Sequence, residues 1–334
     1  MATATAEQIK ALLESHTTGD DARFLAVAMQ VAAQAARQGH GKLADELRRL
    51  IDQAKERAHV VPRPTPPTPL VQPRGELSGL LSVAYPKTRL REMVLPPPVR
   101  RRLERVLKEH RQQSKLRAHG LAPRHRLLLV GPPGSGKTMT ASALGGEMGV
   151  PLFTIVLESL ITKFMGETAA KLRVIFETMR ATRGVYLFDE FDAIGGHRAA
   201  GNDVGEIRRV LNSFLQLLEQ DESGSLIIAA TNHPQMLDHA LFRRFDDVLE
   251  FSPPVAGQAE QAMKAKLGPF ASRGIEWKAA AKAAQGLSYA EITRACEDAV
   301  KEAILTDTAT ISTETLVHAL TERRTQRKQR QHQR

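Results

Sequence analysis

The sequence predicts an α/β fold: a parallel sheet sandwiched by helices, with a small all-helical domain after it and a helical module before it. Three observations predict this. Short apolar runs at 126–130, 152–157, 185–189 and 226–230 alternate with helical or loop patterns, and strands covered on both faces read as such unbroken runs. Residues 258–320 then carry helical periodicity alone and are rich in alanine. Six prolines between 62 and 73 set all of this apart from an N-terminal segment of helical spacing.

The elements follow in order. In 1–58, Ile9, Leu12 and Leu13 share a stripe; Phe24, Val27, Ala28 and Val31 form a second, closed by Gly39; Leu43, Leu47, Leu50 and Ile51 form a third. This reads as an N-terminal helical docking module. Residues 59–85 read as a semi-rigid Pro-rich linker. Residues 86–253 hold the sheet, 254–320 the small helical domain, and 321–334 a basic tail. No internal repeat is evident.

Composition excludes several classes. The chain has 334 residues, 42% of them hydrophobic, enough for packed cores and too many for a wholly disordered protein. The apolar stretch 26–36 is broken by Gln30 and Gln34, and nothing approaches the roughly 18 apolar residues of a membrane span. No basic start followed by an apolar stretch suggests a secretory leader. The single cysteine, Cys296, has no internal partner; it reads as a buried structural thiol in a reducing, cytoplasmic setting.

The net charge of +10 is unevenly placed. Residues 87–126 hold 13 Lys/Arg against 3 Asp/Glu, and 321–334 hold 6 against 1, so the remainder is acidic. Such segments either attract nucleic acid phosphates or form solvated faces.

The strongest signal is Arg126-Leu127-Leu128-Leu129-Val130 running into Gly131-Pro132-Pro133-Gly134-Ser135-Gly136-Lys137-Thr138 and then a helix from Met139. Strand, glycine-rich turn and helix are the setting of a phosphate-binding loop. Gly134 and Gly136 let backbone N–H groups surround phosphate oxygens, and the helix start adds its positive dipole end. Lys137 suits the β- and γ-phosphates, and the Thr138 hydroxyl suits Mg2+. Val185-Tyr186-Leu187-Phe188 then ends in Asp189-Glu190. Two acids at a buried strand end are costly unless a cation or water uses them. Asp189 is placed for the metal, and Glu190 to orient and deprotonate water. Together they predict a P-loop NTPase that hydrolyses ATP by positioning and charge stabilisation.

With these motifs the sequence resembles the AAA+ ATPases over residues 80–320, and within them the protein-remodelling AAA clade of single-ring enzymes such as katanin. By that resemblance Leu226-Ile227-Ile228-Ala229-Ala230-Thr231-Asn232 is the sensor-1 strand, with Asn232 positioning the attacking water. The segment 237–246 matches the second region of homology. Its Arg243 and Arg244 are the candidate fingers toward the neighbouring subunit's ATP, either of the two being the one that acts. Lys163, Phe164 and Met165 match a pore loop that grips extended polypeptide, and the mobile, glycine-bearing stretch 195–202 stands where a second would be. Met93, Val94 and Leu95 correspond to the stretch beside adenine. Gly286-Leu287-Ser288-Tyr289-Ala290 matches the lid segment that closes over the base, with Ala290 where other groups carry the sensor-2 arginine. Tyr289 replaces a glycine there and would either stack near adenine or crowd it.

The resemblance implies an ATP- and Mg2+-dependent ring, a hexamer, that threads, unfolds or disassembles protein. The N-terminal module would dock substrate, an adaptor or a separate protease, since the sequence has no His-Glu-x-x-His and no Gly-x-Ser-x-Gly. The alternative is a DNA-handling AAA+ ATPase, a loader or transposition helper, whose basic segments meet phosphates.

Overall fold

The structure, a computed structural model, describes residues 21–60, 79–160, 165–195, 204–237, 239–272, 274–308 and 310–332, with positions 10 and 77. The chain divides into two compact units, residues 1–69 and 70–334. In the first, α1 (Asp21–Arg37) and α2 (Gly41–Val60) pack together, burying Val31, Ala32 and Ala35 against Ala44 and Ile51. Gly39 ends α1 at φ +83°, a conformation that favours glycine. The N–H of His40 closes the turn on the Ala35 carbonyl at 3.0 Å. The expected helix around Ile9 to Leu13 lies outside the described residues apart from position 10.

The second unit opens with β1 (Leu81–Ala84), then α3 (Pro97–Arg111), β2 (Arg126–Val130), α4 (Lys137–Met148) and β3 (Leu152–Ile155). It continues with α5 (Met165–Ala181), β4 (Val185–Phe188), α6 (Val204–Glu219), β5 (Leu226–Thr231) and β6 (Asp247–Glu250). These strands form one sheet in the order β1-β3-β4-β5-β2-β6. Every pair is parallel except β1 with β3.

The four apolar runs are β2 to β5, the interior of this sheet. Alternate residues feed its two faces: Leu128, Phe153, Tyr186, Phe188 and Ile227 meet Leu172, Ile175, Phe176 and Met179 of α5. Leu127, Leu129, Leu187 and Ile228 meet Leu103, Val106 and Leu107 of α3 and Ala141 and Leu144 of α4. Burial on both faces is why those runs are apolar at nearly every position, the half-buried Thr154 of β3 being the exception inside a strand.

Three boundaries differ from expectation. Strand β1 lies inside the stretch read as linker; as an edge strand only Leu81 of it is buried, so it lacks an unbroken apolar run. Strand β6 was likewise unannounced, because Asp247 and Glu250 break its pattern at the opposite edge. The third concerns the C-terminus. The small domain comprises α7 (Ala256–Leu267), α8 (Trp277–Ala283), α9 (Tyr289–Leu305) and α10 (Thr313–His332) around Met263, Leu267, Ile292, Cys296, Leu316 and Leu320. Helix α10 continues through the residues read as a separate basic tail, and its Arg323 Nε donates to Asp298 Oδ2 at 3.1 Å.

Part of the positive charge of 87–126 is paired with carboxylates, most of them from elsewhere in the same unit. Arg126 pairs with Asp246 at 3.2 Å, Arg124 with Glu109 at 3.6 Å and Asp247 at 3.7 Å, and Arg111 with Glu147 at 3.3 Å. Arg102 forks onto both oxygens of Asp247, which is only 9% exposed. Forked pairing with a largely buried carboxylate fixes geometry in a way an exposed pair does not.

Candidate functional site

The site begins where β2 meets its turn. Neighbouring strands anchor both ends of that junction: Phe251 N–H donates to Val130 O at 2.7 Å, and Gly131 N–H to Thr231 O at 3.2 Å. The approach is so close that a Cβ on Gly131 would lie 2.3 Å from Phe251 O. Gly134, at φ +74°, faces the small domain; its Cβ would lie 2.8 Å from Ser288 Oγ and 3.0 Å from Ala290 Cβ. Gly136 is the N-cap of α4, so the free N–H groups of that helix's first turn open onto the loop.

Lys137 is 7% exposed. Its Nζ donates to Gly131 O at 2.7 Å, Pro132 O at 3.1 Å and Asn232 Oδ1 at 2.7 Å, using all three ammonium protons. Burial pushes its pKa down, opposed by the charges of Asp189 and Asp192. The Thr138 hydroxyl donates to Asp189 Oδ2 at 2.7 Å. Asp189 Oδ1 accepts the Glu190 N–H at 2.9 Å.

Glu190 itself sits at φ +51°, a left-handed conformation that costs a non-glycine residue about 1 kcal/mol. Its neighbours enforce it. Phe188 and Phe191 are fully buried and pack on Phe214 with ring centroids 5.0 and 4.9 Å away. Phe191 N–H also donates to Ala230 O at 2.8 Å. Anchored on both sides, the Glu190 carboxylate is left exposed at the mouth of the site.

Asp192 was not singled out from the sequence. Its Oδ1 accepts from Thr231 Oγ1 at 2.9 Å and from Asn232 N–H at 3.4 Å, tying the end of β5 to the segment after β4. The available signal was the third acid in Asp189-Glu190-Phe191-Asp192, opposite a strand ending in threonine and asparagine.

Around this centre, Met93 is buried, with Cε 3.7 Å from where a Cβ on Gly136 would be. Arg100 Nη2 holds the Met93 carbonyl at 2.7 Å, and Val94 is half-buried beside it. Pro133, Thr138 and Met139 form the exposed rim, while Ser135 is buried and its Oγ has no hydrogen-bond partner among the described residues. Ala290 N–H donates to Gly134 O at 3.2 Å, so the small domain rests directly on the loop. The hydroxyl of Tyr289 is also buried without a partner there, and burial pushes its pKa up.

Other predicted residues are not gathered here. Arg244 pairs with Glu219 and Arg243 is exposed; among the described residues neither bonds to the loop. Lys163 and Phe164 lie outside the described residues, as do 196–202, and Met165 opens α5. Cys296 is fully buried and burial pushes its thiol pKa up to about 12, the state of an inert packing group.

Chemically, the loop offers backbone donors, a helix start and a buried ammonium to a polyphosphate. No group of three His, Cys, Asp or Glu among the described residues is placed to hold a metal. The Thr138 and Asp189 oxygens suit a hard cation that takes its remaining ligands from phosphate and water. No helix among the described residues is long and apolar enough to cross a membrane.

Residues 127–253 match the AAA family, the ATPase family associated with various cellular activities. The chain is 35% identical, over 90% of its length and 90% of the relative's, to the uncharacterized AAA family ATPase y4kL of Sinorhizobium fredii. It is also 43% identical over 142 residues to the ATP-dependent zinc metalloprotease FtsH of Kosmotoga olearia, covering 40% of this chain and 22% of the protease. With the FtsH of Acidothermus cellulolyticus it shares 32% over 231 residues, 66% of this chain and 34% of that protein. These matches to FtsH thus span about a third of the proteases' length or less.

Proposed function

The chain belongs to the AAA family of ATPases and hydrolyses ATP, and from that premise we propose that it works as an oligomeric ring, a hexamer, that threads, unfolds or disassembles proteins. The observation that carries the hydrolytic part is the Lys137 ammonium, shared between the Gly131 and Pro132 carbonyls and Asn232. A polyphosphate entering the loop offers Lys137 charged acceptors in place of neutral ones, which frees the Asn232 amide. Asn232 then positions water at the γ-phosphate, and Glu190, held exposed by its anchored backbone, takes the proton. Thr138 and Asp189 would hold Mg2+, which would supply charge neutralisation to the polyphosphate. Asp192 keeps the Asn232 backbone in place. Met93, Val94 and Ala290 line the nucleotide, with Pro133 to Met139 around its phosphates.

Protein remodelling is supported by the similarity to the FtsH proteases and by the sequence pattern Lys163-Phe164-Met165. An aromatic between a basic and an apolar residue suits sequence-tolerant grip on polypeptide. The exposed Arg243 fits a role toward a neighbouring subunit, with Arg244 as the second candidate. Degradation, where it follows, would come from a separate protease or adaptor docked on residues 1–58. The ion pairs of Arg102, Arg111, Arg124 and Arg126 weigh against the alternative of a nucleic-acid-handling ATPase.

Glu190→Gln tests the chemistry. The variant should bind ATP as the wild type does and hydrolyse it about 10²–10⁴-fold more slowly, the contribution of a positioned general base. Undiminished turnover would remove Glu190 from that role.

A further inference from the structure

The basic C-terminal segment finds a use in the small domain. Arg327, on α10, donates through Nη1 to the carbonyl of Gly286 and lies 3.4 Å from Glu291 Oε2. That same carboxylate oxygen accepts from Ser288 N–H at 2.7 Å and Ser288 Oγ at 2.8 Å, while Glu291 N–H donates back to Ser288 Oγ at 3.3 Å. This is a capping box, and it fixes how α9 begins. Ser288 and Ala290 are the residues packed on Gly134, and Ala290 N–H donates to the Gly134 carbonyl. Polar contacts and the backbone of the turn 286–291 therefore connect the last helix to the phosphate loop.

We infer that Arg327 is a positioning residue for nucleotide binding: it pins the turn 286–291 so that Ser288 and Ala290 seat on Gly134. It touches no phosphate; it acts through Glu291 and the Gly286 carbonyl. Gly286 sits at φ +84° with open space where a Cβ would be; Leu287, 1% exposed, anchors the turn in the core of the small domain, and the guanidinium holds its polar side through the Gly286 carbonyl and Glu291. Charge-assisted bonds of this kind orient a segment more than they stabilise a fold. The inference rests on the ATP reading of the loop.

The test is titration of the full chain with the fluorescent nucleotide mant-ADP, alongside thermal unfolding without nucleotide. Arg327→Ala should weaken mant-ADP by about fivefold, the scale of one lost positioning hydrogen bond. Arg323→Ala removes the neighbouring Arg323–Asp298 pair from the same helix and should change affinity less than twofold while lowering the melting temperature by a similar amount. In Arg327→Ala/Glu291→Gln the two losses should not add. Wild-type affinity in Arg327→Ala, or equal weakening in Arg323→Ala, overturns the pin. Lys137→Ala is titrated in parallel: binding equal to wild type would overturn the nucleotide reading and the pin together, whereas its loss beside an unaffected Arg327→Ala overturns the pin alone.

Discussion

Gly134→Ala probes the seat between the small domain and the phosphate loop. Two costs follow from the geometry. At φ +74° an L-residue pays about 1 kcal/mol of backbone strain. The new methyl would also stand 2.8 Å from Ser288 Oγ, 3.0 Å from Ala290 Cβ and 3.2 Å from Ser288 Cβ, all closer than ordinary contact, and overpacking of this kind costs about 1–3 kcal/mol. The Ser288 hydroxyl cannot swing away freely, because Glu291 holds it from two directions. Together the terms reach about 2–4 kcal/mol, or roughly 30- to 1,000-fold in affinity if they fall on the seated state. The small domain has its own core around Met263, Ile292 and Leu316, so the molecule can shed the strain by unseating rather than unfolding. Mant-ADP titration should therefore show at least about a 30-fold loss, with circular dichroism unchanged. Affinity within twofold of wild type would refute the contact between Gly134 and the turn at Ser288 as part of the binding state.

Two further outcomes follow. His110 is buried, with Nε2 on the Arg124 carbonyl at 2.8 Å and Nδ1 without a partner among the described residues; burial depresses its pKa below the usual 6.5. The unfolded chain then binds the extra proton first, so stability should fall as pH drops below 6.5, by up to about 1.4 kcal/mol per pH unit. Urea unfolding at pH 7 and pH 5.5 checks this, and His110→Gln should flatten the difference. Phe164→Ala should keep its ATPase rate and lose the ability to unfold a tagged folded substrate; retained unfolding would remove Phe164 from the pore role.

The sequence was most legible where burial is symmetric or chemistry is dense. Strands β2 to β5 are apolar at nearly every position because both faces are covered, and the glycine and acid motifs at their ends are constrained by the same phosphate chemistry. The edges were harder. β1 and β6 are partly exposed, so their residues do not announce a sheet. Asp192 escaped notice because its partners, Thr231 and Asn232, lie 39 and 40 positions away and meet it only when β4 and β5 pair. The pairing within 87–126 is equally remote in sequence: Asp246 and Asp247, which pair with Arg102, Arg124 and Arg126, arrive from the far end of the domain. In α10 Leu316, Ala319 and Leu320 are buried and Val317 packs beside them, while past Leu320 no described residue is a buried apolar one to carry the helical pattern on.

The most direct test of the central claim is ATP turnover as a function of protein concentration, with unfolded polypeptide or duplex DNA added in parallel. A protein-remodelling ring predicts a specific rate that rises cooperatively with concentration and is stimulated by unfolded polypeptide. A rate per chain independent of concentration, or stimulation by DNA alone that falls steeply with salt, would contradict it.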